Sequence, residues 1–381
     1  MSPRSDPLAP DLRVRPVRSR RDARAVLSLM RTPYVDVPAW LHPDMRILRE
    51  LLRGKTELGK RAEHETFLAT KDGEPVATLT VFLHRSFEET LGEKIAAIGF
   101  LEALAGEEAA VDALFAAAIA WVREHGARRI WGPMNGHLMY GFGCLDDRFD
   151  ETPTLGVAYG RREYPGHWWR QGFKKAPSFY SYRMDLTSAE TRAAVETAAR
   201  GDRLGEITIR VADLREWRRE VAIFADLHNR AFAKNWGDTP ISEAETWELM
   251  GLARFTADPE MFLIGEIAGR PVGFVFCLPD LNPLLHGLDV EPSSLRAGLR
   301  ILLRGRRARR AGLFAIGVLP EARGHGLAEA LTARAMRRMI ARGMTEMEYC
   351  LVLEDNVASQ RIARRFGGAQ TTTHRVFEKL L

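Results

Sequence analysis

The chain has 381 residues, enough for two or three domains at roughly 150 residues each, and its 46% apolar and 28% charged content excludes a wholly disordered, collagen-like or polytopic membrane protein. Fifty-five Lys and Arg against fifty Asp and Glu leave a net charge of +5, too small over this length to imply a nucleic-acid partner unless the excess is gathered in one place. Cys144, Cys277 and Cys350 are far apart and odd in number, which supports neither a disulfide framework nor a zinc site and fits a reducing cytoplasm.

Residues 1–24 are Pro- and Arg-rich without the apolar core of a secretion signal and are expected to be disordered. A first domain is then expected over 25–187. Within it, Phe67 to Leu83 reads as two apolar strands joined by a tight turn at Asp72-Gly73. Ala97-Ile98-Gly99-Phe100 leads into a helical pattern ending at Gly126. The apolar run from Ala109 to Val122 is interrupted by Asp112 and falls short of the ~20 residues that a spanning helix needs. Gly132-Pro133-Met134-Asn135-Gly136-His137 and the segment Tyr159 to Phe173, with Tyr164, Trp168 and Trp169, offer groups suited to a cleft wall, although an aromatic cluster is more often core than pocket. Residues 188–204 are polar and Ala-rich and read as an exposed helix or linker.

The second domain, 205–381, repeats the pattern. Leu263 to Leu278 forms a second hairpin turning at Ala268-Gly269, and Ala315-Ile316-Gly317-Val318 leads into a helix ending at Gly343. The two spans, first Ala to last Gly, are 30 and 29 residues, so a duplicated α/β unit with a mixed central sheet is expected. Between the hairpin and that strand, Pro292 to Pro320 contains seven arginines and no acid. Leu295, Leu299, Leu302 and Leu303 fall at helical spacing there. The amphipathic segment Leu295 to Arg310 suits an anionic membrane surface, an acidic acyl carrier protein or coenzyme A phosphates; a solvated helix packing its leucines inward is the plain alternative. No nucleic-acid recognition motif accompanies the charge.

The most informative residues run from Val318 and Leu319 through Arg323-Gly324-His325-Gly326-Leu327-Ala328. A strand ends, two glycines allow close backbone approach, and a helix begins at once. Its first-turn amides then face whatever occupies the loop, an arrangement suited to a pyrophosphate. In the first half the same place holds Ala105-Gly106-Glu107-Glu108, whose carboxylates would repel one.

The Arg-x-x-Gly-x-Gly/Ala pattern, here preceded by Val318-x-Pro320 and followed by Asn356 opening the next helix and Phe366-Gly367-Gly368 closing it, resembles the GNAT superfamily of acyl-CoA N-acyltransferases. The whole chain is similar to a bacterial family of two-domain GNAT-like proteins, on Asn235-Trp236-Gly237, Pro279-Asp280-Leu281-Asn282, Leu353-Glu354-Asp355-Asn356 and Gly132-Pro133-Met134-Asn135. Some of its members are associated with acylating lipid amines, including ceramide formation. The resemblance implies tandem GNAT domains, the first degenerate and shaping the acceptor or acyl site. It implies acyl-CoA or acetyl-CoA as co-substrate, no metal, a primary amine as acceptor, and a cytoplasmic protein, peripheral at the inner membrane surface if the arginine segment binds lipid. It implies that Val318, Leu319, Arg323, Gly324, His325, Gly326, Leu327 and Ala328 bind the cofactor, the amides from about Gly324 to Ala328 holding the pyrophosphate, that the strands beginning at Leu313 and Met347 splay to admit pantetheine, and that Asn356 lies near its end.

The family's usual acid, a Tyr seven residues beyond the helix-opening Asn, is replaced by Ala363. Tyr349 and His374 are the substitutes by location. Glu354 is the expected base, its neighbour Asp355 reading as a helix cap beside Asn356, with Glu348 at the far end of the same strand. Two other readings stay open: a non-catalytic acyl-CoA binder and a basic nucleic-acid-binding module.

Overall fold

The structure, a computed structural model, describes residues 11–41, 44–285 and 294–381. Residues 1–10 of the amino-terminal segment lie outside these. The remainder of that segment is ordered, contrary to expectation. Strand β1 (Leu12–Pro16) half-buries Leu12, Val14 and Pro16 while Arg13 and Arg15 point out, an alternation that the arginine content obscured. Helix α1 (Arg20–Leu29) then starts at a capping box, Ser19 and Asp22 each accepting the other's main-chain N–H.

The first half continues with α2 (Arg46–Leu51), α3 (Glu57–Arg61), β2 (Ala62–Lys71), β3 (Glu74–His84), α4 (Arg85–Leu91), β4 (Ile95–Ala103), α5 (Glu108–Glu124), β5 (Arg129–Gly132), β6 (Cys144–Leu145), α6 (Tyr164–Arg170) and β7 (Lys174–Asp185). Helix α7 (Ala189–Arg200) follows. The second half contains β8 (Ile207–Val211), α8 (Trp217–Phe232), α9 (Glu243–Met250), β9 (Phe262–Ile267), β10 (Arg270–Pro279), α10 (Asn282–Leu285), α11 (Leu295–Arg304), β11 (Arg310–Val318), α12 (Leu327–Ala341), β12 (Glu346–Leu353), α13 (Val357–Arg365) and β13 (Ala369–Leu380).

The duplication is visible in detail. Both hairpins turn through two successive residues of positive φ, Asp72 and Gly73 at 53° and 86°, Ala268 and Gly269 at 48° and 74°, as the right-handed strand twist requires of a two-residue turn. Each half has one parallel pair. β4 and β5 pair from Ile95↔Arg129 to Ala97↔Trp131, β11 and β12 from Arg310↔Glu346 to Leu313↔Tyr349, and each pair then diverges.

Among the described residues all thirteen strands belong to one mixed sheet, β1-β2-β3-β4-β5-β13-β7-β12-β11-β10-β9-β8, with β6 beside β13. The two halves exchange their last strands. β7, from the first half, lies antiparallel to β12, while β13, the end of the chain, lies between β7 and β5 and runs antiparallel to both. Neither half's sheet is complete without a strand from the other.

Residues 188–204 do more than connect. Helix α7, capped by Ser188 and ended by Gly201 in the left-handed conformation, buries Val195 and Ala199 in the core that also holds Leu331, Met336 and Met339 of α12. Helices α7, α12 and α13 cover one face of the second half; α8 covers the other, over Phe262, Ile264, Phe274 and Phe276. Trp168 is 1% exposed, with Phe115, Phe173 and Phe377 against its ring, and Tyr164 is buried beside it, so these two are core and not cleft wall. Trp169 alone of the three is exposed. No helix among the described residues is long and apolar enough to cross a membrane.

Candidate active site

Glycines in the β9–β10 hairpin set the start of α12. A Cβ at Gly265 or Gly273 would come within 2.8 Å of the Leu327 methyls, so Leu327 seats in the notch that these two residues leave. Pro320–Ala322 form a single 3-10 turn after β11. Gly324 (φ 84°) and Gly326 (φ 70°), the latter at the N-cap, then swing the chain into the helix. Nothing lies within 4 Å of a Cβ built on Gly324, and only Arg203 Cβ, at 3.7 Å, approaches one on Gly326.

Two side chains hold this loop by its carbonyl side. Arg203 Nη2 donates to Gly324 O at 3.0 Å, and Arg323 Nε donates back to Val318 O at 3.2 Å. Among the described residues, none of the main-chain N–H groups from Gly324 to Glu329 has a hydrogen-bond partner. An uncapped first turn with an open loop in front of it is an anion site in waiting, because unpaired amides and the helix dipole both favour negative charge there. His325 is exposed, Val318 half-buried and Leu319 buried, with Leu319 N donating to Val272 O at 2.8 Å.

The loop opens onto the divergence of β11 and β12. From Ala315 to Val318, β11 pairs only with β10, so its other edge presents unpaired main-chain groups to the gap. Tyr349 sits at the vertex. It shares the α12–α13 face with Val352 and Tyr182, and its hydroxyl lies by Ser359 in the first turn of α13; burial raises its pKa. Asn356 is the N-cap of α13, its Oδ1 accepting from Ser359 N at 3.0 Å. The cap is therefore Asn356 and not Asp355, which is exposed.

Glu354 lies just beyond β12, where its Oε2 accepts from Lys175 Nζ at 2.8 Å and from Tyr180 hydroxyl at 3.3 Å. Although burial opposes it, the Lys175 contact holds this carboxyl below the usual range, the reverse of what a base poised near neutrality needs. His374 faces the other side of the sheet, in register with Phe179 and Leu353. Its Nε2 donates to Ala158 O at 2.8 Å, its Nδ1 has no partner, and burial keeps it neutral by lowering its pKa. With Glu348, Thr154 and Arg183 it lines a cavity with room for about one water. Thr154 and Thr371 both donate to the Glu348 carboxylate. Tyr349 and Glu354 thus share a face with the open loop, and His374 does not.

One group escaped sequence reading. Asp238, in the turn after α8, has its carboxyl pushed up to about 7 by burial, offset only by the Asn235 amide at 3.4 Å. Its neighbour Trp236 leans on Phe179 and Trp131, beside a half-buried apolar wall of Phe142 and Leu351. Asp238 directly follows Asn235-Trp236-Gly237; what sequence could not supply was the burial that makes it basic.

The first half has closed its copy of this site. Glu107 occupies the N-cap of α5 and pairs with Lys71 at 2.9 Å. Beyond Ala97, the gap between β4 and β5 is filled by the loop after β5: Met134 N donates to Ile98 O at 2.8 Å, and Asn135 Oδ1 accepts from Phe100 N at 2.9 Å. Only glycine fits at Gly99, whose Cβ would fall 2.4 Å from Met134 O.

Farther along β4, Glu102 accepts from Tyr164 hydroxyl at 2.5 Å, and burial pushes its carboxyl up to about 8 from an ordinary 4.5 despite that bond. A folded-state pKa above the unfolded one gives a contribution that is complete below about pH 4 and lost as pH rises toward 8. Glu102→Gln should leave stability at pH 5 nearly unchanged and raise it at pH 9 by roughly 1–3 kcal/mol. Urea unfolding at the two pH values checks this; equal pH sensitivity in variant and parent would clear Glu102.

Comparison with known proteins agrees with the geometry. Residues 221–368 match the model of the acetyltransferase (GNAT) family. Over 380 residues the chain is 27% identical to the bacterial ceramide synthase of Caulobacter vibrioides (strain NA1000 / CB15N), covering 97% of this chain and 98% of that one. It is 25% identical to protein YghO of Escherichia coli (strain K12), covering 96% and 95%. A tandem GNAT protein from the clavulanic acid biosynthesis pathway shares the fold at a TM-score of 0.58 and 14% identity, covering 97% of this chain and 98% of that one. The second half carries a GNAT acetyltransferase domain. The chain as a whole has the architecture of that tandem GNAT protein.

Proposed function

We propose that the protein is an acyl-CoA-dependent N-acyltransferase acting on a primary amine carried by a lipid. The observation that carries the reading is the row of unpartnered amides from Gly324 to Ala328 at the mouth of the β11–β12 gap. Those amides hold the pyrophosphate, and the free edge of β11 guides pantetheine toward the vertex at Leu313 and Tyr349. The Caulobacter relative's name and the apolar wall of Phe142, Phe179, Trp236 and Leu351 support a lipid acceptor.

In this reading the amine nitrogen attacks the thioester carbonyl, a β11 N–H stabilises the tetrahedral oxyanion, and the C–S bond breaks as the amide forms. The Tyr349 hydroxyl, which keeps its proton through the physiological range, supplies it to the departing thiolate in place of the tyrosine that Ala363 lacks. The amine's proton goes to Asp238, directly or through water, since a carboxylate near 7 is better matched to the task than the Lys175-paired Glu354. A base must be deprotonated to act, so kcat should rise with pH through about 7. Asp238→Asn should remove that limb and lower kcat by roughly 10²-fold, and Tyr349→Phe should lower kcat with KM for acyl-CoA little changed. A pH–rate profile unaltered in the Asn variant would dismiss Asp238.

The test of the activity is thiol release from short- and long-chain acyl-CoA with a panel of long-chain amino alcohols, polyamines and amino acids, the amide confirmed by mass. Saturable acyl-CoA binding without thiol release would make the protein a binder and not an enzyme.

A further inference from the structure

Helix α11 presents its apolar face to solvent. Leu295, Leu299, Leu302 and Leu303 are 92%, 59%, 81% and 72% exposed, whereas Ala297, on the opposite side, is fully buried and Ile301 half-buried. At 100° per residue the four leucines fill an arc of about 100°, and Arg296, Arg300 and Arg304 follow directly on one flank of it. Arg307 and Arg309 extend the exposed positive charge toward β11, and no acidic residue falls within 294–320. The inward-packing helix allowed by sequence is thus reversed. Four outward leucines in one stripe are an unusual exposure for a protein surface, and a cationic border beside them matches a particular solvent.

We propose that α11 is a monotopic membrane helix that lies in the headgroup region of an anionic bilayer, its leucines in the acyl boundary and its arginines on lipid phosphates. Charge complementarity selects the anionic surface, and the leucine stripe selects a bilayer over an acidic protein, for which the arginines alone would serve. The helix is anchored to the site: five residues separate its end at Arg304 from the start of β11 at Arg310, and Leu313 at the vertex lies three residues farther on. Docking would thus bring the base of the β11–β12 gap to the membrane. The inference does not depend on the proposed chemistry and would stand for an acyl-CoA binder as well.

Flotation of the full chain tests it, using vesicles of phosphatidylcholine alone and with 40% phosphatidylglycerol (roughly the charge density that makes polybasic helices bind). The expected result is recruitment to the phosphatidylglycerol vesicles, weak or absent recruitment to phosphatidylcholine, and weakening by high salt. Leu302→Glu with Leu303→Glu should cut recruitment at least tenfold while leaving the thermal midpoint and CoA affinity as in the parent, because both side chains are exposed. Arg300→Gln with Arg304→Gln should weaken it at low salt only. Failure to float with the anionic vesicles at low salt, or equal flotation of the double glutamate variant, would overturn the proposal. Tight binding of an acyl carrier protein that the leucine substitutions leave intact would do the same.

Discussion

Glutamate at position 325 should raise the dissociation constant for coenzyme A by about 100-fold or more while leaving the fold intact. His325 is exposed and not among the residues of positive φ, so the substitution adds a carboxylate beside the open amides without backbone strain. A unit charge about 5 Å from one phosphate charge costs about 3 kcal/mol at an effective dielectric of 20. The first half shows the natural form of this change, with Glu107 at the N-cap. Gly326→Glu copies it more closely but adds ~1–2 kcal/mol of strain at φ 70°. Gly326→Ala isolates that strain. Calorimetric titration of the three variants reads both contributions, and a His325→Glu protein with parental affinity would place the pyrophosphate elsewhere.

Removal of the Asp280 carboxylate should cost about 3–5 kcal/mol of stability, the largest loss expected of any single ion pair here. Arg310 Nε and Nη2 reach Asp280 Oδ2 at 2.6 and 2.5 Å, with the Asp280 side chain fully buried. Its Oδ1 also accepts from Leu155 N and Asn282 N at 3.1 Å, and Arg310 donates on to the Thr152 and Pro153 carbonyls. The pair therefore ties a first-half loop to the start of β11 and to α10. Asp280→Ala leaves a guanidinium and two amides without acceptors in the interior. Denaturant unfolding at pH 7 checks it, and a loss below about 1 kcal/mol would show that water replaces the carboxylate.

Local elements were readable because their causes are local. Asp72-Gly73 and Ala268-Gly269 announce two-residue turns, and the two glycines around His325 announce a strand-to-helix bend with bare amides. The divergence of β11 from β12 followed from the family resemblance, and the pairing ends at Leu313↔Tyr349. What sequence could not reveal depends on partners distant in the chain. The β-branched and aromatic residues of β13, Thr371 to Thr373 with Val376 and Phe377, say that it is a strand, not that it inserts between β5 and β7, some 180 residues away or more. Trp168 as core, Glu354 as the partner of Lys175, and Asp238 as a basic carboxylate are all consequences of that assembly. The helical period of α11 was legible, yet which way its leucines faced was set by where Ala297 packs.

The central claim is that main-chain nitrogens from Gly324 to Ala328 bind a pyrophosphate. Titration of the full chain with coenzyme A and with pantetheine, which lacks the diphosphate, tests it most directly. The account predicts one site for coenzyme A and an affinity for pantetheine lower by at least 100-fold. Equal affinity for the two, or no uptake of coenzyme A, would contradict it.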